Sequence, residues 1–241
     1  MQDKIVAIVA VLVVAAVGPA EAQSYDQLRK WCYGDAAAEQ TIQGCDAVIK
    51  ANRETPANVA IAFFNRGISY HGGKQYGRAI QDYGEALKLR PNYPDAFYQR
   101  GLAYRRSGQN DRAMQDYDQA LKLKPDHVDV LNSRCYLRAI VGQLQAALQD
   151  CNEALRLAPN NQYAFDSRGF TYLKLGMYDA AIADYDAALR IEPNRPYSMF
   201  GRGVARLKKG DRAGGDADVA AAKAKVKDIV EEYAKYGIKI N

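Results

Sequence analysis

Residues 95–125 read DAFYQRGLAYRRSGQNDRAMQDYDQALKLKP, and this stretch decides the fold. Small and aromatic residues fall on helical spacing in it twice. Phe97, Gly101 and Tyr104 share one face of a first segment near Asp95 to Ser107. Ala113, Tyr117 and Ala120 share one face of a second near Asp111 to Leu123. Gly108 breaks the chain between them, and Pro125, which lacks an amide hydrogen, stops the second. The small residues let two helices approach closely and the aromatic ones fill the space that remains. One such hairpin cannot bury its apolar face alone; stacked copies can.

Copies are present. Arg66, Arg100, Arg134, Arg168 and Arg202 lie 34 residues apart without slippage. Asp82, Asp116, Asp150, Asp184 and Asp218 keep the same step, as do Ala86, Ala120, Ala154, Ala188 and Ala222. Pro91, Pro125, Pro159 and Pro193 keep it four times. Four residue types in one register make an internal repeat, and a period of this length means a stacked array. The units are 60–93, 94–127, 128–161 and 162–195, with a modified fifth from 196.

Outside the array, residues 1–22 have the three-part layout of a secretory signal. Lys4 precedes an unbroken apolar run from Ile5 to Val17, and Pro19, Ala20 and Ala22 lead to expected cleavage after Ala22. The run is short for a membrane span, which needs about 20 residues; a retained short anchor is the alternative. Gln23 stands where a lipoprotein would carry its modified cysteine, so no lipid anchor is expected there. No later segment reaches transmembrane length. The expected address is an exported compartment. The net charge of +5 is spread over 33 basic and 28 acidic residues that alternate along the chain, which favours a solvated surface over a nucleic-acid face.

The repeat resembles the tetratricopeptide repeat. That family's aromatic–Gly–Tyr on the first helix stands here as Phe63/Gly67/Tyr70, Phe97/Gly101/Tyr104 and Phe165/Gly169/Tyr172. Its Ala–aromatic–Ala–Pro on the second stands as Ala79/Tyr83/Ala86/Pro91, Ala113/Tyr117/Ala120/Pro125 and Ala181/Tyr185/Ala188/Pro193. The resemblance implies an all-α solenoid of helix-turn-helix repeats, a right-handed superhelix whose concave groove is lined by the first helix of each unit. Segment 44–67, GCDAVIKANRETPANVAIAFFNRG, is similar to the start of exported alphaproteobacterial repeat proteins, which implies a periplasmic address in a bacterium. Residues 23–59 read as a degenerate N-terminal hairpin and cap. At the other end Arg206, Gly215 and Lys227 replace the Tyr, Ala and Pro of the pattern. Without the proline, the last helix is expected to run on to about Tyr236 as a capping helix within 196–241, with Val226, Ile229, Val230 and Tyr233 as its apolar stripe.

The arginine and aspartate series admit two readings. One is a basic track along the groove. The other, favoured by equal numbers and identical periods, is a structural ladder of ion pairs within or between repeats, because long charged side chains at a buried interface need partners.

One unit departs from the pattern twice. In 128–161, Cys135 takes the glycine slot and Cys151 the tyrosine slot. The two are nearly equidistant from the turn near Gly142–Leu144, so they stand at the same height on facing helices. With an even number of cysteines in an exported chain, a disulfide is the economical explanation. Cys32 and Cys45 flank the turn of the first hairpin and by analogy form a second local bridge. Buried free thiols are the remaining alternative. A nucleophilic cysteine needs a base, and His71 and His127 have no constellation around them. Zinc sites use closely spaced cysteine pairs, which are absent.

No phosphate loop, metal-spaced cluster or nucleophile elbow is present, so no enzyme activity, cofactor or metal is expected. The resemblance places function in the groove. Its floor would be Phe64 and Ile68; Tyr98, Leu102 and Arg105; Asn132 and Tyr136; Asp166, Phe170 and Lys174; Phe200, Val204 and Lys208. Such a set suits a protein or peptide segment, with aromatics gripping apolar side chains and bases taking acidic ones. The competing structural account packs these aromatics between repeats or under a capping helix folded into the groove. Phe64 and Ile68 occupy slots where the family's clamp for terminal carboxylates has Lys and Asn, which argues against that ligand. Three functions are compatible: a protein-binding scaffold, a self-associating module or homo-oligomer, and an accessory subunit handling cell-wall glycan or lipid.

Overall fold

The computed structural model describes residues 23–240. The leader expected at 1–22 lies outside them. The described residues hold 13 helices and no strand. They run α1 Tyr25–Tyr33, α2 Ala38–Ala51, α3 Pro56–Gly72, α4 Tyr76–Leu89, α5 Pro94–Arg106, α6 Asn110–Leu123, α7 Val128–Ile140, α8 Leu144–Leu157, α9 Gln162–Lys174, α10 Tyr178–Ile191, α11 Pro196–Lys209, α12 Arg212–Lys225 and α13 Ile229–Lys235. Through α12 they pair as consecutive hairpins, and each hairpin packs on the next. The result is an all-α repeat solenoid.

Local chemistry sets the ends of the helices. Pro56, Pro94 and Pro196 stand in the first turn, where a missing amide costs nothing. Thr55, Asn161 and Asp211 cap by accepting from the amides of Asn58, Ala164 and Gly214. Gly108, Gly142, Gly176 and Gly210 turn the last four hairpins at φ between 73° and 92°, a region glycine enters without strain.

The interior of each hairpin repeats one motif. Tyr83, Tyr117 and Tyr185 are buried, and each lies against the glycine of its facing helix. A Cβ on Gly101 would sit 2.6 Å from the Tyr117 ring. In the third unit the same two slots hold a disulfide: Cys135 and Cys151 are bonded, with Cα atoms 5.5 Å apart. Cys32 and Cys45 are bonded between α1 and α2, with Cα atoms 4.6 Å apart. Asn65 on α3 donates to Cys32 O at 2.8 Å and so ties that hairpin to the array.

The charged ladder crosses the same interfaces. Each of Arg66, Arg100, Arg134, Arg168 and Arg202 donates through two nitrogens to the aspartate 16 residues on, at 2.6–2.9 Å. Most also reach back one hairpin. Arg66 pairs with Asp46, Arg134 with Asp118 at 2.7 Å, Arg202 with Asp186 at 2.7 Å, and Arg168 donates to Asn152 at 2.8 Å. The pairs are therefore both within and between units. Arg138 and Arg206, in the slot that holds tyrosine elsewhere, add a second cation on Asp150 and Asp218. In the other units the ladder arginine lies over that tyrosine, as Arg100 does over Tyr104 at 5.9 Å. Such pairs fix register more than they add net stability. Arg134→Met and Asp150→Leu, combined in a double-mutant cycle under urea, are expected to show coupling of about 1–2 kcal/mol. Additive losses would remove the within-unit pair.

The C-terminus differs from expectation. The last helix does not run on to Tyr236; α12 ends at Lys225, and Val226 is extended at φ −134°, ψ 105°. Arg90, Lys124, Ala158 and Glu192, each one repeat earlier, take nearly the same conformation. Inter-repeat packing thus imposes the break at this register even where no proline follows. After it, α13 turns back across the first helices of units three to five.

Candidate functional site: the concave groove and its C-terminal helix

The groove residues divide into two sets. On the N-terminal side, Phe64 packs on Tyr83 and Tyr93 with ring centroids 5.8 and 4.9 Å away. Ile68, one turn on, is 43% exposed. Tyr98 is half-buried, its hydroxyl 3.3 Å from Ser133 Oγ, and Leu102 is half-buried beside it. The Arg105 guanidinium lies 5.5 Å from the Tyr136 ring centroid. Among the described residues, neither Arg105 nor Arg106 has a carboxylate in ion-pair reach.

On the C-terminal side α13 covers the floor. Tyr233 sets its ring 4.6 Å from Phe200 and 5.9 Å from Phe170, and stacks on Tyr197 at 6.5 Å. Its hydroxyl donates to Tyr197 O at 3.0 Å. Tyr236 meets Tyr136 and Phe170 edge-on at 6.3 and 6.0 Å. The Tyr197 hydroxyl donates to Glu232 at 3.0 Å. Phe170, Phe200 and Val204, expected to face a ligand, are buried, and Tyr136 is half-buried. Burial pushes the Tyr136 and Tyr233 phenols above their ordinary value, so both stay neutral.

The polar groove residues are partnered within the floor. Asn132 accepts from Ser167 at 2.6 Å. Asp166 accepts from Arg195 Nε at 2.8 Å and from Ser198. Burial pushes the Asp166 carboxyl up, opposed by Arg195 and by the Ser198 hydrogen bond. Lys174 donates to Ile140 O at 3.3 Å and lies over Phe170; burial lowers its ammonium. Lys208 is exposed in the last turn of α11. A half-open pocket of about 320 Å³ lies beside α13, with Arg105, Tyr136, Tyr163, Asp166, Phe170 and Tyr236 among its walls.

Sequence reasoning did not single out Tyr197 on the floor or Glu232 and Tyr236 above it, and it gave Tyr233 only as part of the apolar stripe of a capping helix. A signal existed: the register placed Val226 at the inter-repeat break, and two tyrosines followed on one face. Among the described residues no group of His, Cys, Asp and Glu is placed to hold a metal, and no helix is long and apolar enough to cross a membrane.

Hairpins stacked at a 34-residue period, with small–aromatic contacts inside each, define a class. Profiles of the tetratricopeptide repeat match residues 67–108, 94–127 and 167–195. The chain is a tetratricopeptide-repeat protein, an interaction scaffold by class. Solved structures share the fold. A tetratricopeptide repeat protein from Parabacteroides merdae matches with TM-score 0.70 and 20% identity, over 89% of this chain and 88% of that one. MamA from Desulfovibrio magneticus RS-1 matches with TM-score 0.58 and 21% identity, over 72% and 96%. YrrB, described as a TPR protein with an unusual peptide-binding site, matches with TM-score 0.57 and 21% identity, over 80% and 95%. No curated protein matches the chain.

Proposed function

We propose that this chain is a non-catalytic, exported scaffold that takes a segment of a partner protein in the N-terminal half of its concave groove. One observation carries the reading. The ring and hydrogen-bond contacts of α13 and of Tyr236, which follows it, fall on α7, α9 and α11, while the floor on α3 and α5 offers Phe64, Ile68, Tyr98 and Leu102 beside Arg105 and Arg106, which form no ion pair among the described residues. Apolar floor and adjacent positive charge suit an acidic–apolar segment. Two disulfides and the leader-like sequence of residues 1–22 support export to an oxidising compartment, the periplasm in a bacterium.

The test is capture from a periplasmic extract. Ile68→Asp, at an exposed position, and Arg105→Glu, at a half-buried one on the groove rim, are expected to cut recovery of the partner about tenfold while leaving the thermal transition in place. Undiminished recovery would remove the groove as the binding surface. An intact mass that still includes residues 1–22, in protein taken from cells, would remove export through a cleaved leader.

A further inference from the structure

We infer that the C-terminal half of the groove is a receptor for an acidic, aromatic helical turn, and that α13 is its resident occupant, displaced when a partner carrying the same pattern binds. The inference rests on the groove-binding reading and specifies what part of the groove selects.

The occupant shows what the surface accepts. Glu232, Tyr233 and Tyr236 supply an acid, an aromatic, and a second aromatic one turn later. The acid takes the Tyr197 hydroxyl, the first ring enters the Phe170–Phe200–Tyr197 cleft, and the second closes on Tyr136 and Phe170. Arg105 and Arg106, which form no ion pair among the described residues, border the same pocket and favour further acidic groups on an incoming segment.

Three features make the occupant replaceable. At 7 residues, α13 is far below the length at which a helix holds itself in water. Its N-cap Asp228 makes no side-chain capping bond, and extended Val226 separates it from α12. It also leaves a half-open pocket of about 320 Å³ beside it, between Arg105, Tyr136, Tyr163 and Asp166. A bulkier segment would reach into that pocket and make contacts that α13 does not. Intramolecular tethering keeps α13 in place at high effective concentration, so a partner must compete with it.

The experiment uses the full chain and a fluorescein-labelled synthetic peptide of residues 226–240, read by anisotropy. The Tyr233→Ala/Tyr236→Ala chain, whose own α13 has lost both anchors, is expected to bind the peptide at least about tenfold more tightly than the unaltered chain. A peptide carrying the same two alanines is expected not to bind. Equal affinity for both chains, or no binding to a double variant with an intact thermal transition, overturns the inference. Hydrogen exchange on the unaltered chain tests it without any variant: amides of α13 are expected to exchange far faster than those of α9, and equal protection overturns it. Loss of partner capture by Ile68→Asp without peptide exchange would leave the groove-binding reading standing and remove this one alone.

Discussion

Tyr117→Ala is expected to lower the unfolding free energy by about 3–5 kcal/mol, the cost of emptying a fully buried aromatic site. Tyr117 is wholly buried between α5 and α6 and belongs to a cluster with Leu121, Val130 and Leu137. The facing change acts in the opposite sense. Gly101→Ala puts a Cβ 2.6 Å from the same ring and 3.3 Å from Ala113 O. Backbone blocks one escape and packed neighbours the other, so overpacking of about 1–3 kcal/mol is expected. Combined, the two changes should cost clearly less than their sum, because the methyl enters space the ring has left. Urea unfolding of the four chains checks this. Strict additivity would mean that Gly101 is small for some reason other than Tyr117.

Loss of the Cys135–Cys151 bridge is the second large effect. In the chain-entropy picture, a bridge across 16 residues contributes about 3 kcal/mol. Cys135→Ser/Cys151→Ala is expected to cost that and more, since a small residue in the ring slot also leaves a void. Cys135→Gly/Cys151→Tyr should recover much of it, because it rebuilds the glycine–tyrosine contact of the neighbouring units. Only the parent chain should then lose stability on adding reductant at this bridge. If the glycine–tyrosine chain were as unstable as the serine–alanine chain, the two slots would not be interchangeable solutions to one packing problem.

The array was legible because its information is local and repeated. Phe97, Gly101, Tyr104, Tyr117 and Pro125 each state a helix face, a close approach or a stop within about 30 residues, and other units restate it. The double departure at 135 and 151 could be read against that background, since two residues equidistant from a turn must face each other. The acidic partners of the ladder were legible for the same reason. Whether they paired within or between units was not. That depends on how far a guanidinium can bridge once hairpins are stacked, and Arg134 reaches Asp150 and Asp118 at once.

By itself, then, the sequence determined the all-α hairpin array, its register, its ladder and its staples. The tertiary structure decided the groove. Helical spacing continues through Val226, Ile229, Val230 and Tyr233, so local pattern alone extends the last helix. The chain instead breaks at Val226, where stacking sets the turn in earlier units, and Tyr236 returns to Tyr136, 100 residues away in sequence. Burial of two tyrosines against rings on three separate helices drives that return. Those rings come together only after the superhelix has formed, so the repeat marks the break at Val226 but not where the chain goes after it.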